Sequence, residues 1–133
     1  MGELSHAVGL LVRRVRAAGG GHQLSWSETS VMARLSNDGP ATTADLARAE
    51  GVKPQSMGTI VASLEEMGFV ERHPHPTDGR QVNIALTAKG EAVRKSSRAA
   101  RRTWLAQAIL KLDERDQEIL FAAGEIIKEK ICL

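Results

Sequence analysis

The sequence predicts a mainly α-helical protein that carries one small β-hairpin, an α+β fold contained in a single domain over residues 1–133. Apolar residues recur at steps of three and four along most of the chain, which is the spacing of amphipathic helices. Between residues 69 and 86 the spacing changes to alternation, which favours two short strands. A chain of 133 residues suits one domain rather than two. Its core must be aliphatic, because aromatic residues make up only 3% of the sequence.

The first two helices are predicted at residues 3–18 and 25–36. The apolar face of the first consists of Leu4, Val8, Leu11 and Val15. Three glycines at residues 19–21 are expected to end it. The second opens at Ser25, where Glu28 three residues later completes a capping box.

Two short helices joined around Gly51 have the spacing of a helix-turn-helix. The first of them begins at Thr42, with Asp45 completing a second capping box. The next begins at Lys53 or Pro54, because proline is best tolerated in the first turn of a helix. The apolar stripe and the glycine that ends this helix are Met57, Ile60, Val61, Leu64, Met67 and Gly68.

The hairpin and two further helices complete the chain. Residues 69–73 and 82–86 are predicted to pair as strands around a long, turn-rich tip. Thr87 then caps a long helix over residues 88–110, and a last helix follows a break near Asp113. This order of elements is that of a winged helix-turn-helix with added helices at both ends.

The segment TDGRQVNIALTAKG, residues 77–90, is similar to the wing signature of the MarR family of bacterial transcriptional regulators. Its matching positions are Asp78, Arg80, Leu86 and Thr87. Residues 52–72 resemble the same family in their polar helix start, their apolar stripe and their Leu-Glu-x-x-Gly ending. Since the flanking helices also agree, the resemblance covers nearly the whole chain.

The resemblance implies a homodimeric, sequence-specific DNA-binding regulator. Residues 24–87 would form the winged helix-turn-helix DNA-binding region, and residues 3–18 and 88–133 the dimerisation helices. The expected partner is double-stranded DNA with a roughly palindromic operator, and the expected action is repression released by a small-molecule effector. Trp26 is placed either to line the effector crevice or to fill the core at the base of its helix. A cytoplasmic location is expected, because no apolar run is long enough to span a membrane.

Polar side chains near the start of the second helix of the helix-turn-helix have the chemistry to contact bases. Its outward face is predicted to present Gln55, Ser56, Thr59 and Ser63. Glutamine suits adenine, and hydroxyls suit several bases. Gly58, costly inside a helix, suggests close approach of the backbone to DNA or to a neighbouring helix. The full set of predicted DNA-binding residues is Thr42, Thr43, Lys53, Pro54, Gln55, Ser56, Thr59, Ser63, Arg72, His75, Thr77, Asp78 and Arg80.

The charged residues of this set have distinct predicted roles. Arg80 at the wing tip is expected to enter the minor groove, where the negative potential is concentrated. Asp78 either pairs with Arg80, as the resemblance favours, or shapes the turn by an Asx-type bond. Lys53 and Arg72 are candidates for phosphate contact. The first amides of the helix that begins at Thr42 and Thr43 are further candidates. Although the chain has a net charge of only +2, residues 72–102 carry eight basic and two acidic residues, a net charge of +6.

Other functions find less support in the sequence. His73 and His75 flank Pro74, but no third metal ligand is near, so contacts to backbone are favoured. Cys132 is expected to be buried or at a dimer interface rather than to act as a redox sensor. No cofactor, metal or catalytic residue is expected, because no catalytic motif is present. The remaining alternative is a winged-helix module that binds protein without specific DNA binding, which would need no Arg80.

Overall fold

The computed structural model describes residues 1–20 and 24–132. Gly21 of the predicted glycine stop lies outside these residues, whereas Gly19 follows the end of the first helix. The elements are α1 (Gly2–Ala18), α2 (Trp26–Asp38), β1 (Ala41–Thr42), α3 (Thr43–Glu50), α4 (Pro54–Glu66), β2 (Val70–Pro74), β3 (Val82–Leu86), α5 (Ala88–Leu110), α6 (Glu114–Ile126) and a π-helical segment (Ile127–Ile131). The predicted class, mainly helical with a small sheet, is confirmed.

The chain forms two compact units. The winged unit covers Gly20–Arg98 and contains α2, α3, α4, the sheet and the first part of α5. The helical unit consists of Met1–Gly19 and Ala99–Leu133, and contains α1, the rest of α5 and α6. Residues 88–98, which the sequence groups with the dimerisation helices, therefore belong to the winged unit.

An aliphatic core holds the winged unit together. Its buried members are Val31, Met32, Leu35, Leu46, Ala47, Met57, Val61, Leu64, Phe69, Val70 and Ile84. They come from one face each of α2, α3 and α4, from Phe69 and from the sheet, because helical and strand periodicities bring apolar positions to a common side. The aliphatic composition inferred from the sequence is confirmed in this core, where Phe69 is the single aromatic residue among the buried side chains of the described chain.

The sheet has three antiparallel strands in the order β1, β3, β2. In the hairpin, Val70 pairs with Leu86 and Pro74 with Val82, so β2 lies one residue later than the predicted strand at 69–73. The third strand, β1, was not predicted. It has only two residues, of which Ala41 pairs with Ile84, and two residues are too few for an alternating pattern to be recognised.

The predicted caps of the winged unit are confirmed in most cases. Ser25 and Glu28 form the complete capping box, although α2 extends to Asp38 instead of ending at residue 36. Thr42 caps α3 by accepting from the amide of Asp45, but the Asp45 carboxylate pairs with Arg48, so only this half of the predicted capping box is formed. Gly51 ends α3 with a φ of 68°, in the left-handed region that glycine adopts without strain. The sharp turn of the helix-turn-helix thus depends on this glycine.

The helical unit differs from the winged unit in that its helices α1 and α6 leave large apolar side chains exposed. Neither α1 nor α6 has a buried residue. The large apolar side chains that α1 and α6 leave exposed are Leu4, Val8, Leu10, Leu11, Val12, Ile119, Leu120, Phe121 and Ile126. Within this unit the guanidinium of Arg14 lies 5.8 Å from the centroid of the Trp104 ring. Among the described residues, no helix is long and apolar enough to cross a membrane.

Candidate nucleic-acid interface

The buried side of α4 fixes which of its side chains remain exposed. Met57, Val61 and Leu64 are fully buried at helical spacing and Ile60 packs against the same core, so the opposite side of the helix faces solvent. The side chains of Gln55, Ser56 and Thr59 are exposed, as predicted. Lys53, which precedes the helix, and Pro54 in its first turn are also exposed. The N-terminal half of α4 therefore presents donors and acceptors to solvent.

Ser63 does not belong to this exposed face, and its predicted outward orientation is wrong. The residue is half-buried, and its hydroxyl donates to Oε2 of Glu28 on α2 over 2.8 Å. The other carboxylate oxygen of Glu28 accepts from the backbone of Ser25 at 2.8 Å. One carboxylate thus joins the start of α2 to the second half of α4. The sequence identified Glu28 only as a cap, because its contact to α4 spans 35 residues.

Gly58 leaves open space beside the exposed face of α4. A Cβ atom added to it would have no heavy atom of the described residues within 4 Å, apart from chain neighbours and the helix's own backbone. Close packing against a neighbouring helix is therefore not the reason for this glycine. Close approach of the backbone to DNA is the alternative that stays open.

The start of α3 and the wing border an open groove of about 530 Å³. Its lining residues are Thr42, Thr43, Ala44, Asp45, Arg48, Gln81 and Val82. Thr42 is buried, and its hydroxyl accepts from the Asp45 amide over 3.1 Å, so this hydroxyl is engaged in capping. Thr43 is half-buried, and Arg48 forms an ion pair with Asp45.

The wing tip is held by a chain of hydrogen bonds that ends at Arg80. Nδ1 of His75 accepts from the amides of Thr77 and Asp78 at 3.2 and 3.1 Å. Oδ1 of Asp78 then accepts from the Arg80 amide at 3.0 Å, and Oδ2 accepts from the Gln81 side chain at 3.1 Å. His75 is thus a backbone-contacting histidine, as predicted, and Thr77 is exposed.

Of the two predicted roles of Asp78, the structure favours the Asx-type bond. The carboxylate contacts the Arg80 backbone, and no ion pair with the Arg80 guanidinium is present in the described part of the chain. The Arg80 side chain is exposed. The wing tip therefore offers its guanidinium to solvent while its backbone is fixed.

Arg72, predicted to contact phosphate, is exposed and lies against an acidic neighbour. Its Nε donates to both carboxylate oxygens of Glu65 at 3.1 and 3.2 Å. An exposed pair of this kind contributes little to stability, about 0 to 1 kcal/mol. The pair is weak enough for a phosphate to replace the carboxylate.

The first turn of α5 contains polar contacts that the sequence did not indicate. Lys89 and Thr87 donate to backbone carbonyls just after α4, and Gly90 packs against the same segment. The capping role predicted for Thr87 is confirmed, since its Oγ1 accepts from the Gly90 amide at 3.0 Å. The segment TDGRQVNIALTAKG, which resembles the family's wing signature, includes all three residues. The resemblance does not reveal which atoms they contact.

The remaining candidates are Trp26, Cys132 and His73. Trp26 is 60% exposed, so its interpretation as a core residue is wrong. Cys132 is exposed and not buried within its chain. His73 contacts Glu71 at 2.9 Å, and the described residues contain no group of three or more potential metal ligands.

Comparison with known proteins identifies the family. The model described as the MarR family matches residues 24–82. An uncharacterised HTH-type transcriptional regulator of Mycobacterium leprae is 40% identical over 129 residues, which cover 97% of this chain and 90% of that protein. This chain belongs to the MarR family. Its family is one of transcriptional regulators, which favours that function over a protein-binding module and over an enzyme.

Two further similarities agree with this assignment. An HTH-type transcriptional repressor of Mycobacterium tuberculosis is 33% identical over 118 residues, covering 88% of this chain and 85% of that protein. The crystal structure of wild-type MarR from E. coli, in its apo form, aligns with a TM-score of 0.69 at 21% identity. That alignment covers 96% of each chain and shows that the winged helix-turn-helix fold is shared.

Proposed function

We propose that this MarR-family protein is a homodimeric repressor that binds a roughly palindromic operator and releases it when a small molecule binds. The observation that carries the proposal is the exposed N-terminal half of α4 beside a wing that presents Arg80. Gln55, Ser56 and Thr59 supply the donors and acceptors that major-groove reading requires. The wing guanidinium suits the minor groove.

Phosphate contacts supply the remaining affinity. Lys53, exposed at the start of α4, and Arg72, exposed on β2, are the proposed side-chain contacts. Thr43 lies at the start of α3, whose first amides can hold a phosphate beside the open groove. These contacts set the register and the salt dependence of binding, while the face of α4 sets the sequence preference.

Dimerisation and repression have separate support. Exposed apolar side chains on α1 and α6 are typical of a surface that a second copy covers. Repression is proposed because the relative from Mycobacterium tuberculosis is a transcriptional repressor. Trp26, a residue 60% exposed, is the proposed contact for an apolar or aromatic effector.

Selection of bound sequences from random duplex DNA tests this function. The expected result is a roughly palindromic consensus whose half-sites are about one helical turn apart, on the order of 10 base pairs. Recovery of no consensus at moderate salt would overturn the proposal in favour of a module that binds protein. A variant in which Gln55, Ser56 and Thr59 are all alanine provides the control, since it should lose the consensus while remaining folded.

A further inference from the structure

Three consecutive carbonyls just after α4, the proposed recognition helix, accept hydrogen bonds from residues at the start of α5. Lys89 Nζ donates to the Met67 carbonyl over 3.0 Å. Thr87 donates twice, through Oγ1 to Gly68 over 2.6 Å and through its amide to Phe69 over 3.0 Å. The amides of the same three residues donate to the carbonyls of Ser63, Glu65 and Leu64 in the last turn of α4, so this segment closes the helix. Donors from a distant part of the chain thus hold the segment that completes the end of α4, and we name this set of contacts the α4–α5 joint.

Close packing accompanies these hydrogen bonds. A Cβ atom at Gly90 would lie 2.2 Å from the Phe69 carbonyl oxygen, so the two backbones meet at a distance that only glycine permits. The Lys89 ammonium also lies 5.5 Å from the centroid of the Phe69 ring, within the range of a cation–π contact. The segment after α4 and the start of α5 are thus fixed to each other through backbone, side chain and ring.

We propose that Lys89 and Thr87 are positioning residues for the recognition helix, and that Lys89 acts on the Met67 carbonyl rather than on a DNA phosphate. The inference rests on the proposed DNA-binding function. A lysine near a recognition helix usually suggests a phosphate contact. Here the ammonium is engaged with a carbonyl and an aromatic ring of its own chain. By completing the end of α4, it fixes the orientation of the face that carries Gln55, Ser56 and Thr59.

Separate substitutions of Lys89, which contacts the segment after α4, and of Lys53, which precedes α4, distinguish positioning from phosphate contact. Lys89→Met is expected to lower the affinity for the selected operator about tenfold, on the scale of one well-made base contact. Its affinity for non-specific duplex and its salt dependence should match the wild type. Lys53→Met should weaken both, and should reduce the slope of log affinity against log salt by about 0.9 for each phosphate that the variant no longer neutralises.

Two controls exclude a simple loss of folding. Lys89→Arg retains a cationic donor and should restore most of the ratio between operator and non-specific affinity, whereas reduced stability alone would lower both affinities together. If Lys89→Met reduced the salt slope as Lys53→Met does, or left the ratio unchanged, the proposed role of Lys89 would be wrong.

Hydrogen exchange of the DNA-free wild-type protein tests the joint independently. The amides of Met67, Gly68 and Phe69 should exchange at rates similar to those of Thr87 and Glu91, because the two segments open together. Exchange at residues 67–69 that is more than about tenfold faster would overturn the joint. This measurement needs no operator, so failure of the joint remains distinguishable from failure of the proposed DNA-binding function.

Discussion

At the scale of single residues, Arg80 combines a fixed backbone with an exposed guanidinium. Arg80→Ala should weaken operator binding by about tenfold or more, because a guanidinium in a narrow minor groove contributes on the order of 1–3 kcal/mol. The melting temperature should not change, since the exposed Arg80 side chain forms no hydrogen bond or ion pair among the described residues. Titration with operator DNA measures the effect. The exposed Arg115 of α6 provides a control, and equal affinity of Arg80→Ala and Arg115→Ala would contradict the role of Arg80.

His75 has an acceptor nitrogen whose role can be tested by substitution. Asparagine places its side-chain oxygen about where Nδ1 lies, so His75→Asn should still accept from the amides of Thr77 and Asp78. His75→Ala cannot, and should lower operator affinity by roughly three- to tenfold because the turn that orients Arg80 loosens. Fluorescence anisotropy with labelled operator compares the two. Equal affinities for both variants would show that the accepted hydrogen bonds do not matter for DNA binding.

The sequence predicts which side chains of α4 are exposed better than it predicts the partners of the others. Gln55, Ser56 and Thr59 follow from the apolar stripe of their own helix, so local periodicity is sufficient. Ser63 lies near the edge of that stripe, and only the position of Glu28 on another helix decides which way its hydroxyl points. The pair between Arg72 and Glu65 likewise joins a strand to a helix, and no spacing rule for a single element reveals it.

At the scale of elements, the carboxylate of Glu28 links α2 to α4 and makes this link depend on pH. Burial raises the pKa of Glu28, but hydrogen bonds from the Ser25 backbone and from the Ser63 and Ser25 hydroxyls together lower it below its ordinary value. Since the pKa is lower in the folded state, the stabilisation is present above the unfolded value of about 4.3 and is lost as pH falls through the folded value.

Glu28→Gln should therefore reduce the free energy of unfolding at neutral pH and make it less dependent on pH between about 5 and 3. Urea unfolding at a series of pH values measures both effects. Ser63→Ala removes one of the donors and should produce part of the same change. If the pH dependence of Glu28→Gln equalled that of the wild type, the lowered pKa of Glu28 would not contribute to stability.

Substitution of Gly58 in α4 is expected to change the stability of the protein and its affinity for the operator in opposite directions. Because its Cβ position is open, Gly58→Ala should stabilise the protein by about 0.5–1 kcal/mol. Operator affinity should nevertheless fall, since the methyl group would occupy space that DNA approaches. Thermal unfolding and operator titration measure the two effects. Unchanged or tighter operator binding by Gly58→Ala would contradict the idea.

Short elements mark the limit of sequence prediction at this scale. The ends of α5 follow from Thr87 and the break near Asp113, because caps are local and chemically distinctive. β1 has only two residues, and it is a strand solely because β3 lies beside it. The α4–α5 joint depends on the close approach of the Gly90 backbone to the Phe69 carbonyl. A glycine in the sequence does not by itself indicate which backbone lies close to it.

At the scale of the whole molecule, the distribution of charge along the chain is more informative about DNA binding than the net charge. The net charge of +6 over residues 72–102 lies on the wing and the first part of α5, whereas residues 103–133 carry a net charge of −2. A basic region of this kind favours phosphate contact, while an acidic end disfavours it. Operator binding should accordingly weaken steeply with salt even though the whole chain is nearly neutral.

The exposed apolar residues of α1 and α6 are the basis for expecting a dimer, and Phe121 tests it. This residue is 58% exposed, and a charge there would have to be desolvated if a second copy covers α6. Phe121→Glu should therefore be monomeric at micromolar concentration in analytical ultracentrifugation, where the wild type is dimeric. Operator affinity should fall by about 100-fold or more, because one winged unit can occupy only one half-site at a time.

A matched substitution distinguishes loss of the dimer from a general effect of the new charge. Val82 is also an exposed apolar residue, 42% accessible, but it lies on β3 of the winged unit. Val82→Glu should therefore remain dimeric. If Phe121→Glu also remained dimeric, α6 would not form the interface around this residue. If the wild type itself were monomeric and bound single half-sites, the apolar surfaces of α1 and α6 would need a partner other than a second copy, because exposed surfaces of this kind seldom remain uncovered in soluble proteins.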